Sequence, residues 1–471
     1  MRLIIFINAS ILVLGACLMA LDALFFRETA GLFAEAALMT GALGLMLGVA
    51  SWSSTPEIAT RETFLLTASV WITAALFGML PLYMWELSFT DAFFESMSGI
   101  TTTGSTVMSG LDSTPRGILF WRAVLQWMGG IGFIVTGMAL LPILKVGGMQ
   151  LFRTESSDQG EKLLKSSALY AAATASVYIG LTLACMLAYH AGGMSIFDAV
   201  VHGLTTLSSG GYSNYDASFG HFQSHTLQWT ATLFMLCAGI PFAWFILAFQ
   251  KGRFASEQVR AYLLLLAVVI VLLTLWRVMV RGAGLEESLR LVAFNVVSAV
   301  TTTGYATADY TTWGGTATVA FFLLTAMGGC TGSTAGGAKM MRWIVLARAV
   351  HQRLRQLRFP HGIFPIRYEG RRLEANVLDG VVAFFIFYIL TIGVLAVLLG
   401  LIGLDFSTAT SGALTAVANV GPGVGEIIGP AGNFAPLPDS AKWLIAAGMY
   451  LGRLEMMTVY ALLTPVFWRG L

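Results

Sequence analysis

The sequence predicts an all-α polytopic membrane protein with ten spans and four shorter re-entrant helices. Three observations carry that expectation. First, 56% of the 471 residues are hydrophobic and only 11% are charged, whereas a soluble chain is about one-quarter charged; mean hydropathy is +0.76. Second, apolar runs of two lengths alternate along the chain. Third, the residues that close the shorter runs repeat. The composition excludes a soluble enzyme, a disordered chain and a nucleic-acid binder. A net charge of +2 implies no bulk attraction to an acidic partner. Cys17, Cys185, Cys237 and Cys330 stand singly in apolar runs. Without ligand spacing they read as small buried hydrophobes.

A helix needs about 20 apolar residues to cross a bilayer. Ten runs qualify: 3–26, 30–52, 63–86, 117–144, 166–190, 226–249, 260–281, 315–346, 375–403 and 440–467. The runs 91–102, 196–208, 287–302 and 406–419 are too short to span, and such lengths suit re-entrant segments. Leu14–Cys17 loosely resembles a lipoprotein cleavage box, but the apolar run continues to Phe26, so residues 3–26 are expected to remain a span. With the N-terminus inside, 19 of the 27 Lys and Arg fall at cytoplasmic ends or loops. Arg27, Arg116, Arg122, Arg277, Arg281, Arg290 and Lys442 fall on or near the outside, and Arg453 lies within a span. The positive-inside rule then places both termini in the cytoplasm.

The short runs close on Thr101-Thr102-Thr103-Gly104-Ser105, Ser208-Ser209-Gly210-Gly211-Tyr212, Thr301-Thr302-Thr303-Gly304-Tyr305 and Ala418-Asn419-Val420-Gly421-Pro422. Asp91 and Asp198 each lie thirteen residues before the aligned glycine, well placed to cap short helices. The unit is therefore span, short helix, Gly-bearing loop, span. Its four copies are expected at 54–160, 161–255, 256–372 and 373–471, preceded by an N-terminal pair of spans at 1–53. Irregular backbone at membrane depth is tolerated only where it is buried or lines a water-filled cavity. Short helices entering from outside aim their negative dipole ends at the membrane centre. Four such ends would favour a cation, and rings of backbone carbonyls are how potassium filters replace an ion's hydration shell. The filter set is Thr102, Thr103, Gly104, Ser209, Gly210, Gly211, Thr302, Thr303, Gly304, Asn419, Val420 and Gly421, binding potassium through backbone carbonyls. Four pseudo-repeats would thus surround one pore.

Asp216, Asp309 and Glu426 each lie five residues after their glycine, and Asp112 eight after the first. A ring of carboxylates would concentrate cations at an outer vestibule; ordinary polar loops account for them equally well. His202, His221 and His225 are assigned no role. Residues 327–338 place Gly328, Gly329, Gly332, Gly336 and Gly337 beside Thr331, Ser333 and Thr334. Each glycine costs about 1 kcal/mol in a helix interior. The cluster is too dense for one packing face, so an unwound segment below the filter is expected. Arg453, a charge within a span, is a functional candidate by default. Pairing with Glu455 is poor because residues two apart do not share a helix face.

At this point the chain resembles a known family, the bacterial Trk potassium-uptake membrane subunits of TrkH and TrkG type in the Trk/Ktr/HKT superfamily. Besides the four loops, the resemblance rests on Trp127-Met128-Gly129-Gly130-Ile131-Gly132, on Gly328 to Gly337 and on Gly452-Arg453-Leu454-Glu455. The extra N-terminal pair matches TrkH and TrkG. Glycine at 104, where sodium-preferring HKT relatives carry serine, implies potassium preference. The resemblance also implies a gating role for residues 327–338 with Arg453, location in the bacterial inner membrane, a homodimer, and a cytosolic nucleotide-binding partner ring of TrkA type. Nothing resembles a nucleotide-binding motif in this chain, so nucleotide control would come through that partner. Nine Lys or Arg between 339 and 372 suit lipid headgroups or a protein partner. Potassium is then substrate rather than cofactor. A proton- or sodium-coupled symporter is the alternative reading, although acids at the midplane are few. A membrane enzyme would need a His pair or carboxylate dyad, and none is apparent.

Overall fold

The computed structural model describes residues 1–52, 60–139, 167–252 and 254–468. The expected helical ends at 140–144, and the charges at Lys145, Arg153, Lys162, Lys165, Arg253 and Arg469, lie outside the described residues. Two antiparallel helices, Arg2–Phe25 and Ala30–Ser51, come first. They pack through small residues: a Cβ on Gly44 would come within 3.0 Å of Leu12 and Val13. Close backbone approach of this kind drives helix association in lipid. Asn8 joins the pair to the next span, Thr60–Trp85, by bonds of 2.9 Å to Ser69 and 2.7 Å to Thr73.

Four shorter helices follow at the expected places: Phe89–Ile100, Ile196–Leu207, Leu285–Val300 and Phe406–Ala418. Their caps correct the sequence reading. Ser88 and Ser195 are the N-cap residues, accepting bonds of 3.1 Å from the backbone N–H of Asp91 and Asp198. The two aspartates sit in the first turn, where their charge favours the helix N-terminus. The fourth helix is capped by Asp405, which accepts from the Thr408 N–H at 3.1 Å.

Among the described residues, six helices are long and apolar enough to cross a membrane, or seven if a bent pair counts as one. Four of the ten expected spans therefore need comment. Arg116–Ala139 is helical up to the last described residue before 140. The run 315–346 divides into Gly315–Thr325 and Met340–Arg358, with the Gly-rich residues non-helical between them. The run 440–467 divides at Leu454 and Glu455. The break at Leu454 and Glu455 was not expected from the sequence, and neither was a second one upstream. The expected span 226–249 is two helices, His225–Ala238 and Phe242–Lys251, bent by 92°. Pro241, which cannot donate a helical hydrogen bond, stands at the start of the second helix.

Candidate functional site

The four short helices end alike. Thr102, Ser209, Thr302 and Asn419, each two residues before an aligned glycine, all adopt left-handed backbone with φ of 54°, 55°, 58° and 54°. In every copy the next N–H reaches back to the helix: Thr103 to Ser98 O, Gly210 to Thr205 O, Thr303 to Ser298 O and Val420 to Thr415 O, each at 2.9 Å. This is the Schellman arrangement, built on polar residues where glycine is usual. It turns the chain sharply at the dipole-negative end of each helix.

The loops meet one another. A Cβ on Gly104 would overlap the Gly210 carbonyl oxygen, and one on Gly211 the Thr303 carbonyl oxygen. One on Gly304 would lie 2.8 Å from the Gly421 nitrogen, and one on Gly421 would lie 3.2 Å from the Gly104 carbonyl oxygen. Loops one to four therefore abut in cyclic order. Gly104, Gly211 and Gly304 have φ of 83°, 76° and 81°, whereas Gly421 is not left-handed. The following residue, Pro422, biases its predecessor toward extended backbone, so the fourth loop departs from the other three.

Side chains fix the loops from behind. Ser98 Oγ donates to Ser105 O at 2.6 Å, and Ser298 Oγ donates to Tyr305 O at 2.7 Å. Thr415 Oγ1 donates to the carbonyls of Val420 and Pro422. Asn419 Nδ2 reaches Thr103 Oγ1 at 3.0 Å, and Ser105 Oγ reaches Gly421 O at 2.8 Å, joining loops four and one.

A cavity of about 600 Å³ lies against all four aligned glycines, lined also by Asp216 and Glu426. The acidic set is thus divided. Asp112 and Asp309 do not line this cavity. Asp309 accepts from the Thr311 N–H at 2.9 Å and so caps a short turn. Asp112 accepts from the Asp216 N–H at 3.2 Å, and Asp216 accepts from the N–H groups of Gly110 and Leu111 at 2.9 and 3.1 Å. Equal spacing in sequence did not carry equal placement, because the loops after the glycines fold differently. His202 is buried between Asp198 O and Ser213 Oγ, at 2.9 and 3.0 Å.

The Gly-rich segment lies against the other side of the loops. Gly328, Gly332 and Gly337 have φ of 83°, 86° and 71°. Gly337 N–H donates to Ala418 O at 2.9 Å, and Gly336 N–H donates to Thr302 Oγ1 at 2.7 Å. Thr334 Oγ1 is 2.9 Å from Ser209 Oγ and donates to Leu207 O at 3.0 Å. The segment therefore touches the left-handed residues of loops two and three and the end of helix four. The unexpected bend at Gly239–Pro241 is its other dock: Cys330 N–H donates to Gly239 O at 2.9 Å, and Phe242 N–H to Gly332 O at 3.0 Å. Gln258 holds Thr331 from the side, accepting from its N–H at 3.0 Å.

Arg453 is only 2% exposed. It donates to Thr334 O at 3.3 Å and to Gly129 O at 3.2 Å. It therefore clips the Gly-rich segment to the glycine cluster of the first repeat. Glu455 instead pairs with Arg342 at 2.7 Å, both buried. Lys339 and Arg342 are 2% and 0% exposed, so two of the nine basic residues at 339–372 face inward and are unavailable to a partner or lipid surface. Arg122, Arg290 and Lys442, counted from sequence as outer charges, are also buried and paired, with Glu95, Glu286 and Asp91.

Known proteins resemble the whole arrangement. The family model TrkH, described as a cation transport protein, matches residues 33–466. The chain is 51% identical over 89% of its length, and 87% of the relative's, to the Trk system potassium uptake protein TrkI of Halomonas elongata. It is 37% identical, over 95% of each chain, to the Trk system potassium uptake protein TrkH of Salmonella typhimurium. The crystal structure of the potassium transporter TrkH from Vibrio parahaemolyticus superposes with a TM-score of 0.91 at 32% identity, covering 99% of both chains.

Proposed function

The chain belongs to the TrkH family of cation transport proteins, and from that premise we propose that it takes up potassium through the ring of four Gly-bearing loops. The observation that carries this reading is the closed cyclic contact among Gly104, Gly211, Gly304 and Gly421, with a left-handed residue two positions before each. Backbone carbonyls converging from four helix C-termini supply the ligands that replace water around a dehydrated cation. No carboxylate is needed at that point, and glycine at the contact lets the loops come close enough to share one ion. The fourth loop, with Gly421 outside the left-handed region, makes the ring pseudo-fourfold.

The Gly-rich segment, closing the path on the side opposite the cavity, is the gate. Its contacts with Ser209, Thr302 and Ala418, at three of the four loops, support this reading, and Arg453 would supply a positive charge as well as a clip. Withdrawal of the segment opens the path. A cytosolic nucleotide-binding ring of TrkA type, acting on a homodimer in the bacterial inner membrane with both termini cytoplasmic, would drive that movement. The exposed arginines of the helix Met340–Arg358 and the turn that follows it are the surface for such a partner or for lipid headgroups. Proton or sodium coupling gains little support, since Glu95 and Glu455 are each occupied by a buried arginine. Reversal potentials in liposomes carrying the purified chain, under imposed potassium, sodium and proton gradients, test the proposal. A potential that tracks potassium alone supports it. One that tracks a second ion in fixed ratio supports the symporter.

A further inference from the structure

Behind the first two loops lies a polar cluster that the sequence does not advertise. Glu95 belongs to the first short helix, and Arg122 and Gln126 to the helix Arg116–Ala139; they are 0%, 1% and 0% exposed. Arg122 Nε donates to Glu95 Oε1 at 2.8 Å. Its Nη1 donates to Ser213 O at 3.1 Å and its Nη2 to Thr106 Oγ1 at 3.2 Å. Its guanidinium also lies 4.1 Å from the centre of the Tyr212 ring. Glu95 in turn accepts from the Val107 N–H at 3.0 Å. One buried ion pair therefore grips the chain just after Gly104 and just after Gly211.

Gln126 acts one layer deeper. Its Nε2 donates to Gly210 O at 2.8 Å, and its Oε1 accepts from the Tyr212 N–H at 3.0 Å. The two bonds bracket Gly211. Tyr212 closes the cluster, donating through its hydroxyl to Glu95 O at 2.8 Å. Such a network is costly if half satisfied and rigid when complete. Removing one partner of a buried pair leaves the other as an uncompensated charge.

The ring is not braced evenly. Loops four and one are joined by neutral bonds from Asn419 and Ser105. Loops two and three meet through the Tyr305 hydroxyl and Thr205 Oγ1, 2.5 Å apart. Between loops one and two the brace is a buried ion pair whose arginine bonds the second loop, whereas the Lys442–Asp91 pair joins the fourth and first repeats at their helices.

We infer that Glu95, Arg122 and Gln126 are positioning residues for ion selection, fixing the spacing between the first and second loops and the direction of the Gly210 carbonyl. The inference rests on the reading of the four loops as the filter. None of the three touches the ion; each acts through backbone it holds. A cation that differs from potassium only in radius is rejected to the extent that carbonyls cannot close around it, so a loosened brace admits sodium.

The test is the potassium-to-sodium permeability ratio of the purified chain in liposomes. Gln126→Leu, close in size and without hydrogen bonds, should lower the ratio by about two- to tenfold, the factor a net hydrogen bond is worth. Gln126→Glu retains the acceptor for Tyr212 but turns a carboxylate oxygen toward the Gly210 carbonyl in a buried site, and should lower the ratio at least as much as Gln126→Leu. Arg122→Lys keeps the charge but loses the fork that reaches two loops, and should lower the ratio while potassium flux persists. Gly104→Ser, measured alongside, separates the two ideas. A ratio unchanged in the Gln126 and Arg122 variants but lowered in Gly104→Ser would overturn the brace and leave the filter standing. An unchanged ratio in all of them would overturn both. If Arg122→Lys fails to fold, the two Gln126 variants decide.

Discussion

The ring of four loops and the Gly-rich segment packed against it are both irregular backbone, yet they are held in different ways. Each loop begins at a turn locked by its own helix, and loops one and two are tied further by Glu95, Arg122 and Gln126. The Schellman bond at 2.9 Å recurs four times, and Ser98, Ser298 and Thr415 bond carbonyls within their own repeat. The Gly-rich segment borrows its partners from elsewhere: Gly239, Gln258, Thr302, Ala418, Leu207 and Arg453. Local bonds persist when neighbouring helices move. Borrowed bonds are exchanged when they do. On the proposed reading, the ring of loops would stay constant while the Gly-rich segment would switch between two arrangements, as a selective filter and a gate require.

The largest effect is expected at Gly104. At φ 83° and with the Gly210 carbonyl where a Cβ would go, Gly104→Ser should lower the potassium-to-sodium permeability ratio by about tenfold, within the ~1–3 kcal/mol that forced left-handed backbone costs. Basal flux should not become partner-independent. Arg453→Ala should do the reverse. Losing two charge-assisted bonds to Thr334 O and Gly129 O loosens the segment, and potassium flux without a cytosolic partner should rise about five- to tenfold at an unchanged ratio. Thr334→Val removes neutral bonds to Leu207 O and Ala238 O and the contact with Ser209. Its rise in basal flux should be smaller, about threefold.

The smallest effect is expected at the cavity. Glu426→Gln should lower uptake by less than about twofold, and only at low external potassium, because an exposed charge acts across solvent. The deficit should vanish as salt shortens screening to about 10 Å at 0.1 M. Asp309→Asn, at a residue that caps a turn away from the cavity, should show no salt-dependent deficit in the same uptake assay.

What the sequence displayed was whatever repeats or breaks a period. The four glycines, the short helices and the unwound residues 327–338 were all legible, since each interrupts an apolar run in a way only special backbone tolerates. Partnerships between distant residues were not. Arg122 read as an outer charge because its partner Glu95 lies 27 residues away on another helix, and Gln126 drew no notice in an apolar helix. The bend at Gly239–Pro241 was hidden because the run around it is apolar throughout, and one proline near a glycine did not outweigh that length. For the acids after the glycines, equal spacing said nothing of placement: Asp216 and Glu426 line the cavity, Asp112 and Asp309 do not, and backbone N–H groups bond Asp216 and Asp309 locally.

Selection and gating are proposed to reside in separate backbone elements, the four loops and the Gly-rich segment. Their separation is tested most directly by measuring potassium and sodium flux together in liposomes holding the purified chain alone, for the natural sequence, Gly104→Ser and Arg453→Ala. Separate elements require a changed ratio at low flux for Gly104→Ser, and an unchanged ratio at raised potassium flux for Arg453→Ala. A change of ratio in Arg453→Ala equal to that in Gly104→Ser would contradict that separation, showing that the Gly-rich segment and the loops act as one element.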